Sequence, residues 1–308
     1  MAKYMKTEKG YIDIPNFALA PFKPAGKSYL TFSSSNRFTL KVNNSTKNWN
    51  GTIEYFASDK TWTVWDGTTV LSAVYDDGEY FLYLRGTKNT IITGNSTSSR
   101  WILHGSNIAC IGNIENLLDY TIVASGNHPT MADYCYYAMF QGCTVLTQAP
   151  ALPATIMANN CYTAMFQGCT ALTQAPALPA TTMAINCYIA MFQGCTSLKL
   201  SSTKTDDYMQ EYRIPSSGEG MMATNAMKNM FTSTGGTFTG TPAINTTYYL
   251  SSDNMIVRET DIATLNGYVG SMIDTAEYII PSSTSGSTKK FKITVDDSGT
   301  ISATEVTA

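Results

Sequence analysis

Six of the seven cysteines come in pairs: Cys135 and Cys143, Cys161 and Cys169, Cys187 and Cys195. Within each pair the spacing is eight residues, and Cys110 stands alone upstream. A thiolate can ligate a metal, attack an electrophile or form a disulfide. Zinc sites usually bring two ligands within about two to four residues of each other, which these pairs do not do. Disulfide frameworks belong mainly to small secreted domains that lack a core. Here hydrophobic residues make up 44% of 308, enough for a real core. The cysteines therefore read as reduced, buried apolar groups, a common role for free cysteine. Equivalent thiols in successive units would stand close together, so an occasional bridge between units stays open.

Other chemistry has few candidates. Two histidines occur, His104 in the strand-like WILHG and His128 before a proline. Neither has a nucleophile or acid at a spacing that signals a catalytic triad, so both read as structural. No phosphate-binding glycine loop, HExxH or EF-hand pattern occurs, and no cofactor or metal site is expected. Glycoside cleavage typically needs two carboxylates. Between Thr121 and Leu198 the only acid is Asp133. The adjacent pairs Asp206-Asp207 and Asp296-Asp297 read as solvated turn residues. The chain therefore reads as a non-enzyme, with a glycan-degrading fibre enzyme as the weaker rival.

The cysteines belong to a repeat. CYYAMFQGCTVLTQAPALPA, CYTAMFQGCTALTQAPALPA and CYIAMFQGCTSL recur every 26 residues. Met139, Met165 and Met191 correspond, as do Leu146, Leu172 and Leu198. A fixed period of this length marks units that cover one another's apolar faces. Cys161, Met165, Cys169 and Leu172 fall at i, i+4, i+8 and i+11, one side of a helix. Asn160 is placed to cap that helix and Gly168 to end it. LTQAPALPA cannot continue it, because its prolines fix φ and remove donors, so it is expected to be extended.

MFQGCTALTQAPALPA resembles the leucine-rich repeat of the bacterial-surface-protein (BspA-like) class, with its F-x-G-C-x-x-L core. The resemblance covers about residues 131–200, and AMKNMFTSTGG, around Met230 and Phe231, looks like a degenerate fourth unit. The units are longer than is usual for that class, and the paired prolines depart from it. The resemblance implies binding or adhesion and no catalysis.

The elements around the repeat are read from period-two patterns. Residues 1–27 look like an extended arm. Residues 28–100 alternate in RFTLKV, GTIEYF, TWTVW and EYFLYLRG, separated by Asn50-Gly51, Asp66-Gly67 and Asp77-Gly78, which are hairpin-type turn pairs. That predicts a small β-sandwich, with Trp49, Trp62 and Trp65 in its core rather than forming a sugar platform. Residues 101–245 are assigned to the repeat array, starting at RWILHGSNIACIGNIENLLDY, with an insertion near 200–222 shaped as a hairpin. Residues 246–308 are assigned to a terminal capping or assembly element: an amphipathic helix in DIATLNGYVGSMIDTA, then a hairpin in KKFKITVDDSGTISATEV. This element loosely resembles the oligomerising ends of phage fibre and tail proteins. The expected fold class is mainly β with a short α/β leucine-rich-repeat solenoid.

The first two units differ at only five positions. Three of them, Asp133/Asn159, Tyr134/Asn160 and Tyr137/Thr163, read Ile185, Asn186 and Ile189 in the third unit. On a helix they share one side, so Asp133, Tyr134, Tyr137, Asn159, Asn160, Thr163, Asn186 and Ile189 form the candidate binding surface, rich in tyrosine at its start.

Charged residues are only 14% and the net charge is −3, so no basic field recruits nucleic acid. No run is long enough for a membrane span, and MAKYMKTEKGYIDIPNF lacks the apolar core of a secretory signal. The reading is a phage virion structural or host-contacting protein at the virion surface. Its expected partners are other virion proteins or a host-surface protein or glycan, and a homo-oligomer is expected, with a trimer favoured. The alternative is a secreted bacterial cell-surface adhesin.

Overall fold

The computed structural model describes residues 22–26, 28–44 and 47–251, together with the backbone of the strands at 4–7, 10–13, 278–281, 290–295 and 301–306. The chain divides into two units, Met1–Met255 and Ile256–Ala308. The fold is mainly β, with several sheets, none closed, and a single α-helix among the described residues.

Strands form where the alternation is strongest. After the pair β1 (Tyr4–Thr7) and β2 (Gly10–Asp13), which places a hairpin where a plain arm was expected, come β3 (Leu30–Ser34) and β4 (Thr39–Val42). Next are β5 (Thr52–Phe56), β6 (Trp62–Val64), β7 (Leu71–Ser72), β8 (Val74–Asp76) and β9 (Glu79–Thr87). Asp77 (φ +42°) and Gly78 (φ +98°) close the β8–β9 hairpin. Two positive φ values in succession are what a type I′ turn requires. Asn50-Gly51 does not make such a turn. Gly51 instead lies against the Thr87 and Lys88 backbone, where a Cβ would collide.

The expected boundary at residue 100 is absent. Strand β10 (Trp101–His104) pairs with β4, and β11 (Ile108–Ile111) pairs antiparallel with β3. The same β11 pairs parallel with β12 (Leu146–Gln148) of the first repeat unit. Two sheets result, ordered β10-β4-β7 and β12-β11-β3-β9-β5-β6, with β8 also on β9. One buried cluster runs from Leu30 through the repeats to Leu250. Trp65 meets Trp101 edge-on at 5.3 Å, and Trp101 meets Phe140 at 6.3 Å, so aromatic packing carries the core into the repeats. Trp49 and Trp65 are core residues as expected; Trp62 is half-buried beneath the Arg85 guanidinium. Helix α1 (Asn116–Ala124), which periodicity did not reveal, is broken at Asp119, whose backbone is extended.

The repeats are not helical. Each segment is a run of consecutive turns in which every fourth residue has positive φ: Asn160 at +57°, Ala164 at +53° and Gly168 at +74°. Tyr134, Ala138 and Gly142 match them in the first unit, and Asn186, Ala190 and Gly194 in the third. An α-helix needs negative φ at every position, so the expected helix, its Asn160 cap and its Gly168 stop are corrected. A four-residue turn period and a helical face place apolar side chains at the same i, i+4, i+8 spacing, which is why the pattern misleads.

The hydrogen bonds follow from that geometry. Within a unit, Thr163, Met165, Gln167 and Cys169 donate N–H to the carbonyls three residues back. The intervening N–H groups, of Asn160, Tyr162, Ala164, Phe166 and Gly168, donate to the third unit at 2.8–2.9 Å. The first unit donates likewise to the second. Asn186, Tyr188, Ala190, Phe192 and Gly194 donate to carbonyls from Thr224 to Thr232, so the degenerate segment around Met230 and Phe231 is a fourth unit of the stack. Both ends are closed. Trp101 N–H and Ile92 N–H donate to the first unit, and Phe231 N–H donates to Gly240 O.

Beyond the third unit, β13 (Lys199–Ser201), β14 (Gln210–Arg213), β15 (Gly235–Gly236) and β16 (Thr247–Leu250) form a sheet ordered β14-β16-β13-β15. The insertion is therefore not a hairpin, because β16 separates β13 from β14. Strand β16 also moves the expected boundary at residue 246 to 255. In the second unit, β17 (Tyr278–Pro281), β18 (Lys290–Val295) and β19 (Ile301–Val306) form an antiparallel sheet that includes the expected C-terminal hairpin. The expected helix in DIATLNGYVGSMIDTA lies outside the described residues.

Candidate functional site

Stacking at 26-residue intervals turns each sequence position into a column. Tyr136, Tyr162 and Tyr188 are fully buried and stack at 5.5 and 5.9 Å. Phe140, Phe166, Phe192 and Phe231 form a second column at 5.5–5.7 Å. The amides of Gln141, Gln167 and Gln193 hydrogen-bond in series. The expected core residues Cys135, Met139, Cys143, Leu146, Cys161, Met165, Cys169, Leu172, Cys187, Met191, Cys195 and Leu198 are all buried.

The seven cysteines are free and buried. The Cys169 thiol donates to Phe140 O and the Cys195 thiol to Phe166 O, each at 3.0 Å. Burial pushes the Cys143 thiol up to about 11 and those of Cys187 and Cys195 up to about 12. A thiol acts as nucleophile or metal ligand only as thiolate, so these groups are built to stay protonated. Among the described residues no cluster of three His, Cys, Asp or Glu side chains is arranged to hold a metal.

The candidate binding positions divide. Asp133 is exposed and accepts the Asn159 N–H at 2.9 Å; Asn159 in turn accepts the Ile185 N–H at 3.1 Å. Thr163 is buried, and its hydroxyl donates to Asn186 O at 2.6 Å. Tyr134 and Tyr137 pack edge to face at 5.8 Å and are half-buried, as are Asn160, Asn186 and Ile189. Tyr134, Asn160 and Asn186 also occupy a positive-φ position, a conformation asparagine tolerates well. Much of this column therefore holds units together rather than facing outward.

An exposed corner lies close by in the chain. Ile156, Thr182 and Met221 are aligned by parallel β-bridges. Ile156 is 82% exposed and Met221 66%, and Ile185 and Met222 are exposed too. The exchange of Ile156 for Thr182 between units was the sequence signal at this corner.

A second polar feature lies before the first unit. Glu115, only 1% exposed, receives His128 Nδ1 at 2.8 Å, while its Oε1 is buried without a hydrogen bond. Burial raises the carboxyl above its ordinary value of 4.5, opposed by the His128 contact. A raised folded value means stability is fully present below the ordinary value and is lost as pH rises through the folded one. Glu115→Gln should therefore flatten the fall in melting temperature as pH rises from the ordinary carboxyl value of 4.5 through the raised one. Parallel melting curves for the two proteins across that range would show that Glu115 is not the group responsible.

The chain matches no family model, no curated protein and no solved structure. Among the described residues no helix is long and apolar enough to cross a membrane.

Proposed function

We propose that the chain is a non-enzymatic structural or host-contacting protein of a phage virion, in a fibre, tail or decoration role. In this reading a leucine-rich-repeat solenoid of the type it resembles, continuous with a β-sandwich, binds a protein or glycan surface, and the chain acts as a homo-oligomer, with a trimer favoured. One observation carries the binding part. The buried cysteine, methionine, phenylalanine and leucine columns do not change through the first three units, whereas two of the five changes between the first two units fall on the Asp133–Asn159–Ile185 and Ile156–Thr182 columns, where the large apolar side chains of Ile156 and Ile185 stand in water. Exposed apolar side chains grouped on a rigid support are a usual mark of an interaction surface. The sparse charge fits a surface that works by shape and apolar contact.

The test combines location and binding. The protein should be found in purified particles, and the intact chain should bind host cells. Ile156→Asp with Met221→Asp should abolish that binding while the melting temperature stays within a few degrees, since both side chains are exposed. Saturating turnover of a surface glycan would overturn the non-enzymatic reading. Finding the protein anchored on a bacterial surface and absent from particles would overturn the virion setting in favour of an adhesin.

A further inference from the structure

The exposed corner of the repeats has a rhythm along the stack. Ile156, Thr182 and Met221 stand side by side through parallel β-bridges. Neighbours of this kind lie about 4.8 Å apart and point to the same side. Ile156 and Met221 are large, apolar and exposed, and Thr182 between them is exposed as well. The repeat period puts Thr130, also exposed, one place before Ile156. The column therefore alternates small and large: Thr130, Ile156, Thr182, Met221. Each large side chain stands next to a notch above a threonine.

That order is its own complement when reversed. A second copy turned over about a two-fold axis across the stack, between the second and third units, sets Ile156 against the second copy's Thr182. Met221 then meets the second copy's Thr130, and symmetry repeats both contacts in reverse. Ile185, 48% exposed, meets the second copy's half-buried Asn159 in the same register. An axis along the stack instead sets Ile156 on Ile156 and leaves the threonine notches unfilled.

Charge selects the same register. Asp133 is exposed beside the column in the first unit. An axis along the stack brings it against its own copy, a costly like-charge contact. The crosswise axis sets it against Thr224, exposed and uncharged. Glu219, two residues before Met221, is already paired with Arg213 Nη2 at 3.1 Å.

We propose that this corner is a contact between two copies of the chain, paired antiparallel, with Ile156 seated over Thr182 and Met221 over Thr130. The inference rests on the reading of the corner as a binding surface and names its occupant. The contact joins copies in pairs, so in a trimer it joins one trimer to another.

Sedimentation of the full chain over a range of concentrations tests it. Reversible doubling of the assembly's mass is expected. Ile156→Asp alone, or Thr182→Lys alone, should weaken that doubling about tenfold or more, because each leaves a charge facing an uncharged group. Mixing the two single variants should restore it, since the new acid of one chain then meets the new base of the other. Misfolding cannot produce that recovery. The proposal is overturned by a mass that does not double with concentration, by undiminished doubling in both variants, or by no recovery on mixing. Host-cell binding separates the two readings. A chain that binds cells through Ile156 without pairing overturns the pairing and keeps the binding surface. Pairing without cell binding keeps the pairing and overturns the host contact.

Discussion

Phe166→Ala is expected to destabilise the protein by about 4 kcal/mol. The side chain is fully buried and lies between Phe140 at 5.7 Å and Phe192 at 5.6 Å, with ring planes within 12° and 3°. Its removal takes away a large apolar group and two ring contacts at once, each worth about 0.5–1.5 kcal/mol beyond burial. Backbone hydrogen bonds fix the units on either side, so the void cannot collapse fully. In a folded unit of this size the melting temperature should fall by roughly 10 °C. Phe166→Leu, which keeps much of the volume, should lose less than half of that. A shift of under about 2 °C for the alanine variant would show that the ring column contributes little to the core.

Ala164→Val separates the turn ribbon from a helix. In a helix this exchange costs only a few tenths of a kcal/mol, up to about 0.7. Here Ala164 has φ +53°, its N–H donates to Ile189 O at 2.8 Å, and the residue is buried. A β-branched residue is a true outlier at such a φ, and the added methyls overpack a closed column at about 1–3 kcal/mol. The expected loss is therefore about 3 kcal/mol or more, read by denaturant unfolding. Asn160→Gly, at φ +57° and half-buried, should instead be nearly neutral. A helix-sized loss at Ala164 would speak against the positive-φ ribbon.

The sequence alone determined what is inside. Columns of cysteine, methionine and leucine were legible because burial selects residue type at each position, and a fixed period copies that choice. The burial of Cys161 and Cys169 followed from their place in the repeat. The alternation that forms β3, β5 and β9, and the Asp77-Gly78 turn, were legible for the same reason: each is a local demand on residue type. The conformation of the units was not. Spacing by four satisfies a helix and a ribbon of turns equally, and what selects the ribbon is the row of N–H groups bonded to the next unit, a partner 25 residues away. Sheet continuity between β3, β11 and β12, which erased the boundary at residue 100, is likewise a pairing between distant segments.

The candidate surface shows the same division. Variation at Asp133, Tyr134, Tyr137 and their equivalents marked columns free to change chemistry, but Thr163 turned inward to bond Asn186 O, and exposure passed to Ile156, Ile185 and Met221. Residue type and period fixed which positions repeat and which are apolar. Only tertiary structure decided which side of the ribbon each faces, because a positive φ at every fourth residue redirects the chain in a way that no count along the sequence reveals.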